Sequence, residues 1–423
     1  QELESRWLLH QHTSDTLFEL YDRWGQKFYF GMDPTANSLH LGNYINFMNA
    51  VHLMRRGNTL IPLVGGATGM IGDPGGRNTE REFLDPETLE HNFQAISTQV
   101  EYLISNIESF LGENLPHTAV IDNKDFYRDV SFLDFLRDVG KHITVNSMMT
   151  RDTVHKRLTE PDQSISYTEF SYMLIQGNDF YLLYTEQDCK LQIAGSDQWG
   201  NLTIGTEMIR KRVWGEAYGL TCPLITDAQG RKFGKSAGNA IFLDPEKNSP
   251  YQMYQYFLNT SDEDLEKFLK LLTFLDLDEI DKIVSEHQEA PHLRLGQRHL
   301  GEYVVGLIAW TSAVKQAQSI TEILYGKSDR MEIIAKLSEE DIQALAKELW
   351  SYQASSGDRV LDILTQSGLT SSNWEAKKLI TSWAIYLNEQ PIDDMSQILE
   401  QADLVNGVAL LRKWKKNFKV ISL

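Results

Sequence analysis

His40-Leu41-Gly42-Asn43 places an imidazole and a carboxamide one helical turn apart, and Lys232-Phe233-Gly234-Lys235-Ser236 places two ammonium groups on a glycine-bearing segment far downstream. Such groups suit a phosphoryl displacement, because they hydrogen-bond and neutralise oxygens on which negative charge builds. The first motif closes the connection Asp33-Pro34-Thr35-Ala36-Asn37-Ser38-Leu39-His40, which leads from an apolar run into a helical one. Backbone N–H groups and the positive helix end face outward there and favour a phosphate chain. Read singly, His40 is more often a satisfied loop histidine, and the lysine pair is equally a solvated hairpin. Their order along one chain gives them weight.

Between them lies a run with six glycines in twelve residues, Gly65-Gly66-Ala67-Thr68-Gly69-Met70-Ile71-Gly72-Asp73-Pro74-Gly75-Gly76. Glycine lets backbone and ligand approach closely, although a tight structural loop has the same composition. The dinucleotide fingerprint is absent, and Asp73 is the residue most suited to hold a ligand, such as an ammonium group. Gly230 to Gly234 encloses three residues where a P-loop needs four, so its lysines fit a loop closing over a triphosphate instead. In Tyr172-Met173-Leu174-Ile175-Gln176-Gly177-Asn178-Asp179, spacings of four and three put Tyr172, Gln176 and Asp179 on one helix face. A buried carboxylate needs a partner, which a ligand hydroxyl or a polar core network can supply.

The elements that position these residues are legible as alternating strand and helix. Apolar runs at 27–33 and 58–68 flank a helical stretch at 41–56, and 119–122, 190–194 and 220–226 read as short buried strands. A parallel α/β fold is expected. After Ser249-Pro250 the pattern turns helical: Pro250 opens a helix over 251–258, Ser261 caps the next, and the periodicity continues to about 325. Residues 326–356 read as a polar, helix-prone connector to a small last domain.

With 423 residues the chain exceeds one hydrophobic core, and 42% hydrophobic content fits a folded globular protein. Two cysteines, Cys189 and Cys222, rule out a disulfide framework and suit the reducing cytosol. No apolar run reaches the roughly 18 residues of a membrane span, so a cytoplasmic location and no membrane partner are expected. A net charge of −19 argues against a nucleic-acid partner, but the tail corrects it. After Asp403, Arg412, Lys413, Lys415, Lys416 and Lys419 interleave with Trp414 and Phe418, a basic aromatic surface compatible with RNA.

In order, Tyr29-Phe30-Gly31-Met32-Asp33-Pro34-Thr35, His40 to Asn43, Gly65 to Asp73, Tyr172 to Asp179, Gly195-Ser196-Asp197-Gln198-Trp199-Gly200-Asn201 and Lys232 to Ser236 resemble bacterial-type tyrosyl-tRNA synthetases, which are class I synthetases. The segments Asp362-Ile363-Leu364, Ser367-Gly368-Leu369-Thr370, Glu375-Ala376-Lys377-Lys378-Leu379-Ile380 and Tyr386-Leu387-Asn388 resemble an S4-type RNA-binding domain. The resemblance implies a Rossmann-like catalytic domain over 1–241, a helical anticodon-stem-facing domain over 242–325, the connector 326–356 and an S4-like domain over 357–423. It implies activation of L-tyrosine by ATP with Mg²⁺, transfer to tRNA(Tyr), a homodimer, no covalent enzyme intermediate and no tightly bound cofactor or resident metal.

By the same resemblance, Thr35, His40, Asn43, Lys232 and Lys235 act on the phosphates, with Arg77 and Arg81 on the pyrophosphate. Tyr29 and Asp179 meet the phenolic hydroxyl, Asp73, Tyr172 and Gln176 the ammonium, and Gln198 the carboxylate side. Asp33, Gly195 and Asp197 lie near the ribose, and the backbone of Leu224 and Ile225 near adenine. Lys377, Lys378, Arg412, Lys413, Lys415 and Lys416 face tRNA. Three positions depart from the pattern: Asn43 replaces a second histidine, Ala194 a glycine and Asn46 a threonine. Tryptophanyl-tRNA synthetase is the nearest alternative, which Asp179 and Tyr29 disfavour; a non-catalytic RNA-binding relative is the other, disfavoured by His40 and the two lysines.

Overall fold

The computed structural model describes residues 1–75, 83–160, 163–230, 233, 235–236, 239–414 and 417–423, with the backbone alone at 235, 236 and 239. Arg77, Arg81, Lys232, Lys415, Lys416 and the Lys235 side chain lie outside the described residues. The chain divides into two compact units: Gln1–Ser249 with Met253–Trp310, and Pro250–Gln252 with Thr311–Leu423.

In the first unit, strands β1 (Gln11–His12), β2 (Lys27–Met32), β3 (Thr59–Val64), β4 (Ile121–Asp122), β5 (Cys189–Gly195) and β6 (Tyr218–Cys222) form one sheet ordered β1-β6-β5-β2-β3-β4. β2 to β6 pair in parallel and β1 closes one edge antiparallel. The continuous apolar runs of β3 and β6 are buried along nearly their whole length, as parallel strands covered on both faces must be. From β2 the chain passes through helix Leu41–Arg55 to β3, and later returns to β5 on the other side of β2. The strand order therefore reverses between β2 and β5, where a crevice opens beyond the strand C-termini. Met32-Asp33 and Gly195-Ser196 stand at that point.

Several elements differ from the sequence reading. The run 58–68 stops as a strand at Val64, and the glycine cluster continues as helix Gly66–Ile71 rather than a loop. The run 220–226 is a strand only as β6, shifted toward the N-terminus. Beyond it, a hairpin pairs β7 (Lys235–Ser236) with β8 (Asn239–Ala240). Helix Leu295–Tyr325 breaks at Ala309 and Trp310, whose backbone is non-helical, and the two compact units divide there. The expected helical domain 242–325 is thus shared out between them.

The second unit is built on a five-stranded sheet, β11-β10-β12-β13-β9, of β9 (Tyr352–Gln353), β10 (Ile385–Leu387), β11 (Gln390–Pro391), β12 (Val408–Lys413) and β13 (Asn417–Ser422). Alternation along β12 sends Ala409 and Leu411 into a core with helices Val360–Gln366 and Asn373–Thr381, and Val408 and Leu410 into another. Ile334 and Leu345, from helices Arg330–Ala335 and Glu339–Glu348, fill that second core. Residues 326–356 are therefore packing elements of this unit, not a bare connector, because their spaced apolar residues cover a sheet face.

Candidate active site

The helix Leu41–Arg55 begins with a reciprocal cap. The Asn43 backbone N–H donates to His40 Nδ1 at 3.2 Å, and the His40 N–H donates to Asn43 Oδ1 at 3.1 Å. Accepting at Nδ1 leaves the ring proton on Nε2, so His40 can offer a neutral donor to a phosphate oxygen. A β-carbon at Gly42 would lie 2.9 Å from the ring, which explains the glycine between them. Asn43 spends its carbonyl oxygen on the cap, leaving its amide NH₂ for a ligand. Thr35 is exposed on the preceding loop.

On helix Tyr167–Gln187, Tyr172, Gln176 and Asp179 do share a face, and Ser166 caps its start through the Glu169 N–H. Asp179 is buried at 2% exposure and is held by two groups that the sequence reading missed. Tyr127 O–H donates to Oδ1 at 2.6 Å and Asn123 Nδ2 donates to Oδ2 at 2.8 Å. Asn123 also donates to Thr68 Oγ1 at 3.2 Å, Thr68 donates to Asp33 Oδ1 at 2.7 Å, and Tyr172 O–H donates to Asp33 Oδ2 at 2.7 Å. Gly65 is required here, since a β-carbon would collide with both Thr68 Oγ1 and Asp33 Oδ1. Asn123 follows the end of β4, so the rule that ligands gather beyond parallel strand ends was the signal available for it. Tyr127, on a 3₁₀ turn, left none.

Among the described residues, the Tyr29 hydroxyl and Gln176 Oε1 near this network are buried without a hydrogen-bond partner. Tyr29 is 1% exposed on β2, packed against Phe180 with ring centroids 5.2 Å apart. Burial pushes its phenol well above the ordinary range, and the Asp179 charge adds to this. A hydroxyl buried beside a carboxylate without a hydrogen bond costs stability, and a ligand hydroxyl would satisfy it.

Burial raises the Asp179 carboxyl from 3.8 to about 7, against the lowering effect of its bonds from Tyr127 and Asn123. Between those values the folded state holds a proton that the unfolded state has lost. The Asp179 contribution to stability is therefore fullest below pH 3.8, falls as pH rises toward about 7, and is flat above. A ligand hydroxyl that donates to the carboxylate prefers the ionised form. Binding measured by calorimetry should weaken below pH 7, by up to about tenfold per unit, while Asp179→Asn should abolish that slope.

Asp73 is 7% exposed and gathers Gln198 Nε2 at 2.6 Å, Gly75 N–H at 3.0 Å and Asn201 Nδ2 at 3.4 Å. Asn201 was not foreseen; it also donates to Gln198 Oε1 at 2.9 Å. Gln198, expected on the carboxylate side of the ligand, is turned onto Asp73 because that buried carboxylate accepts its amide. Gly195 ends β5, and a β-carbon there would meet Asp197 Oδ1 at 2.7 Å. Leu224 is exposed and Ile225 buried, the Ile225 carbonyl accepting from Phe233 N–H.

Among the described residues of the basic tail, the cations are drawn into contacts rather than left as an open row. Arg412 donates through Nε and Nη2 to Glu389 and lies over the Tyr386 ring, while Lys413 pairs with Glu375 at 2.7 Å. Strand alternation turns Phe418 into the core at 7% exposure. Lys377 and Lys378 remain exposed on helix Asn373–Thr381.

A parallel sheet with its switch point between β2 and β5, a His-x-Gly-Asn helix start on one side and a polar pocket on the other, defines a class I aminoacyl-tRNA synthetase. Residues 25–326 match the family of tRNA synthetases class I (W and Y), and residues 341–421 match the tyrosine–tRNA ligase SYY-like C-terminal domain. The chain belongs to the tyrosine–tRNA ligase family. It is 42% identical to the tyrosine–tRNA ligase of Bacteroides thetaiotaomicron over 92% of this chain and 91% of that one. It is 40% identical to that of Streptococcus pneumoniae serotype 19F over 100% of this chain and 99% of the relative. A C-terminally truncated Aspergillus nidulans mitochondrial tyrosyl-tRNA synthetase superposes with a TM-score of 0.69 at 29% identity, covering 77% of this chain and 93% of that one.

Proposed function

We propose that the protein activates L-tyrosine with ATP, supplied as its magnesium complex, to tyrosyl-adenylate and pyrophosphate, and then transfers tyrosine to the terminal ribose of tRNA(Tyr). The observation that carries this reading is the partnerless buried Tyr29 hydroxyl beside the ionisable Asp179. A tyrosine phenol donates to Asp179 and accepts from Tyr29, which removes the orphan. Asp73, with Tyr172 and Gln176, receives the ammonium; Asp33, Gly195 and Asp197 line the ribose side. His40 Nε2 and the Asn43 amide, with Thr35, donate to the phosphates. Lys232, Lys235, Arg77 and Arg81 keep the phosphate roles that the resemblance gives them, and the Leu224-Ile225 backbone the adenine side.

Tyrosine-dependent ATP–pyrophosphate exchange tests the reading. Exchange with tyrosine and none with tryptophan is expected. Exchange driven by tryptophan, or none by folded protein, would replace it with one of the alternatives.

The protein is also proposed to act as a homodimer. Phe132, Leu133, Val145, Leu158 and Tyr167 are 46–74% exposed on segments that all pack over one buried cluster around Val139, Met148, Val154 and Met173. Large exposed apolar side chains gathered on one region of a fold mark an association surface. Leu133→Asp with Tyr167→Asp should shift sedimentation from dimer to monomer, and an unchanged dimer would place the interface elsewhere. Of the six cations expected on tRNA, Lys377 and Lys378 are exposed and Arg412 and Lys413 are held in ion pairs with Glu389 and Glu375.

A further inference from the structure

Among the described residues, eleven non-glycine positions have positive φ, and six of them are tryptophan: Trp7, Trp214, Trp310, Trp350, Trp383 and Trp414. The chain holds nine tryptophans. A positive φ is uncommon for any residue but glycine, and for a bulky side chain it is an outlier. These six are also 41–89% exposed, although tryptophan is on average among the more buried residues.

Their local hydrogen bonding is that of glycine. Helix Glu2–Ser5 ends with Trp7 N–H on the Glu4 carbonyl and Leu8 N–H on Leu3; helix Asn373–Thr381 ends with Trp383 N–H on Ile380 and Ala384 N–H on Leu379. These are Schellman closures, whose left-handed residue is usually glycine. The chain builds the same closure with glycine after helix Leu41–Arg55, where Gly57 N–H bonds Met54 and Asn58 N–H bonds Leu53. Trp350 precedes the corresponding Ser351 N–H to Ala346 bond, and Trp214 is the left-handed cap of helix Trp199–Val213, bonded to Arg210. Trp310, at φ 66° and ψ 155°, occupies a region that is essentially glycine's alone. Trp414 opens the turn between β12 and β13 at φ 58°.

A binding surface does not account for them, since they fall at six separate chain reversals or breaks distributed over both compact units. Trp199 is the contrast: at φ −53° and ψ −43° it starts a helix in ordinary backbone. We infer that the six positions are glycine in the protein the cell makes, and that the codon translated as tryptophan there is decoded as glycine in the source organism. Tryptophan and glycine codons differ at a single base, and one reassigned codon would produce all six substitutions together. Six independent mutations would have to find six glycine sites by accident.

Peptide mass spectrometry of protein purified from the source organism tests this. Glycine at the six positions with tryptophan at 199 is expected, and the gene should use one codon for the six and a different one for Trp199. Tryptophan in the native peptides, or a codon shared with Trp199, would overturn the inference. In recombinant protein, Trp350→Gly and Trp383→Gly should each raise the unfolding temperature by about 2–4 °C. A fall on both would overturn the conformational premise.

Discussion

Asp179→Asn is expected to narrow the preference for tyrosine over phenylalanine by about 10²–10³-fold while leaving the fold intact. The carboxylate accepts from Tyr127 and Asn123 and keeps a lone pair for the substrate phenol. When phenylalanine enters, that lone pair and the Tyr29 hydroxyl stay unpaired in a buried site, and this penalty is the discrimination. Tyrosyl-tRNA synthetases are the established example of such rejection, at about 10⁵, a figure carried over from those enzymes. Asparagine keeps the volume and one acceptor, and the Tyr127 hydroxyl can rotate to accept from the new NH₂. Asp179→Ala would instead remove the acceptor shared by Tyr127 and Asn123, leaving them only Ile175 O and Thr68 Oγ1, at a cost of about 1–3 kcal/mol of stability. Exchange rates with each amino acid, measured on Asp179→Asn, give the ratio; an unchanged ratio would place phenol reading elsewhere.

His40→Ala is expected to slow adenylate formation by about 10²–10³-fold with little change in tyrosine affinity, because the Nε2 proton is used chiefly as phosphate charge builds. The substitution has a second effect. His40 Nδ1 caps helix Leu41–Arg55, and losing a cap costs about 1 kcal/mol. His40→Asn separates the two, since a carboxamide oxygen can still accept from the Asn43 N–H. Single-turnover rates and melting temperatures of both variants are the measurement. Asparagine should restore the melting temperature and not the rate; restoration of both would reduce His40 to a helix cap.

Much of this site could be read from the chain because its parts are local. The helix face carrying Tyr172, Gln176 and Asp179 follows from spacing alone, as does the place of His40 at the entry to a helix, though not its role as that helix's cap. What stayed hidden depends on contacts distant in sequence. Asn123 and Tyr127 reach Asp179 from more than fifty residues away, and neither lies in a periodic segment that marks it. The glycine cluster read as a loop because glycine disfavours helices, yet tertiary packing against Asp122 and Asn123, which accept the Gly66 and Ala67 N–H groups, holds Gly66–Ile71 helical. In the tail, composition announced positive charge but could not tell that Glu389 and Glu375 neutralise Arg412 and Lys413. The break at Ala309 and Trp310 was masked by a helical periodicity that runs through it.

The line of hydrogen bonds from Asp179 through Asn123 and Thr68 to Asp33 joins the end of the pocket proposed to read the amino acid to the end proposed to face the nucleotide. The Asp33 charge is one of the influences that raise the Asp179 carboxyl. Protonating either carboxylate therefore lowers the electrostatic cost of charge on the other, and a bound hydroxyl that holds one ionised raises it. On that proposed assignment the two substrates are linked thermodynamically before they meet, and by reciprocity whatever one gains or loses through the other's presence is returned in equal measure.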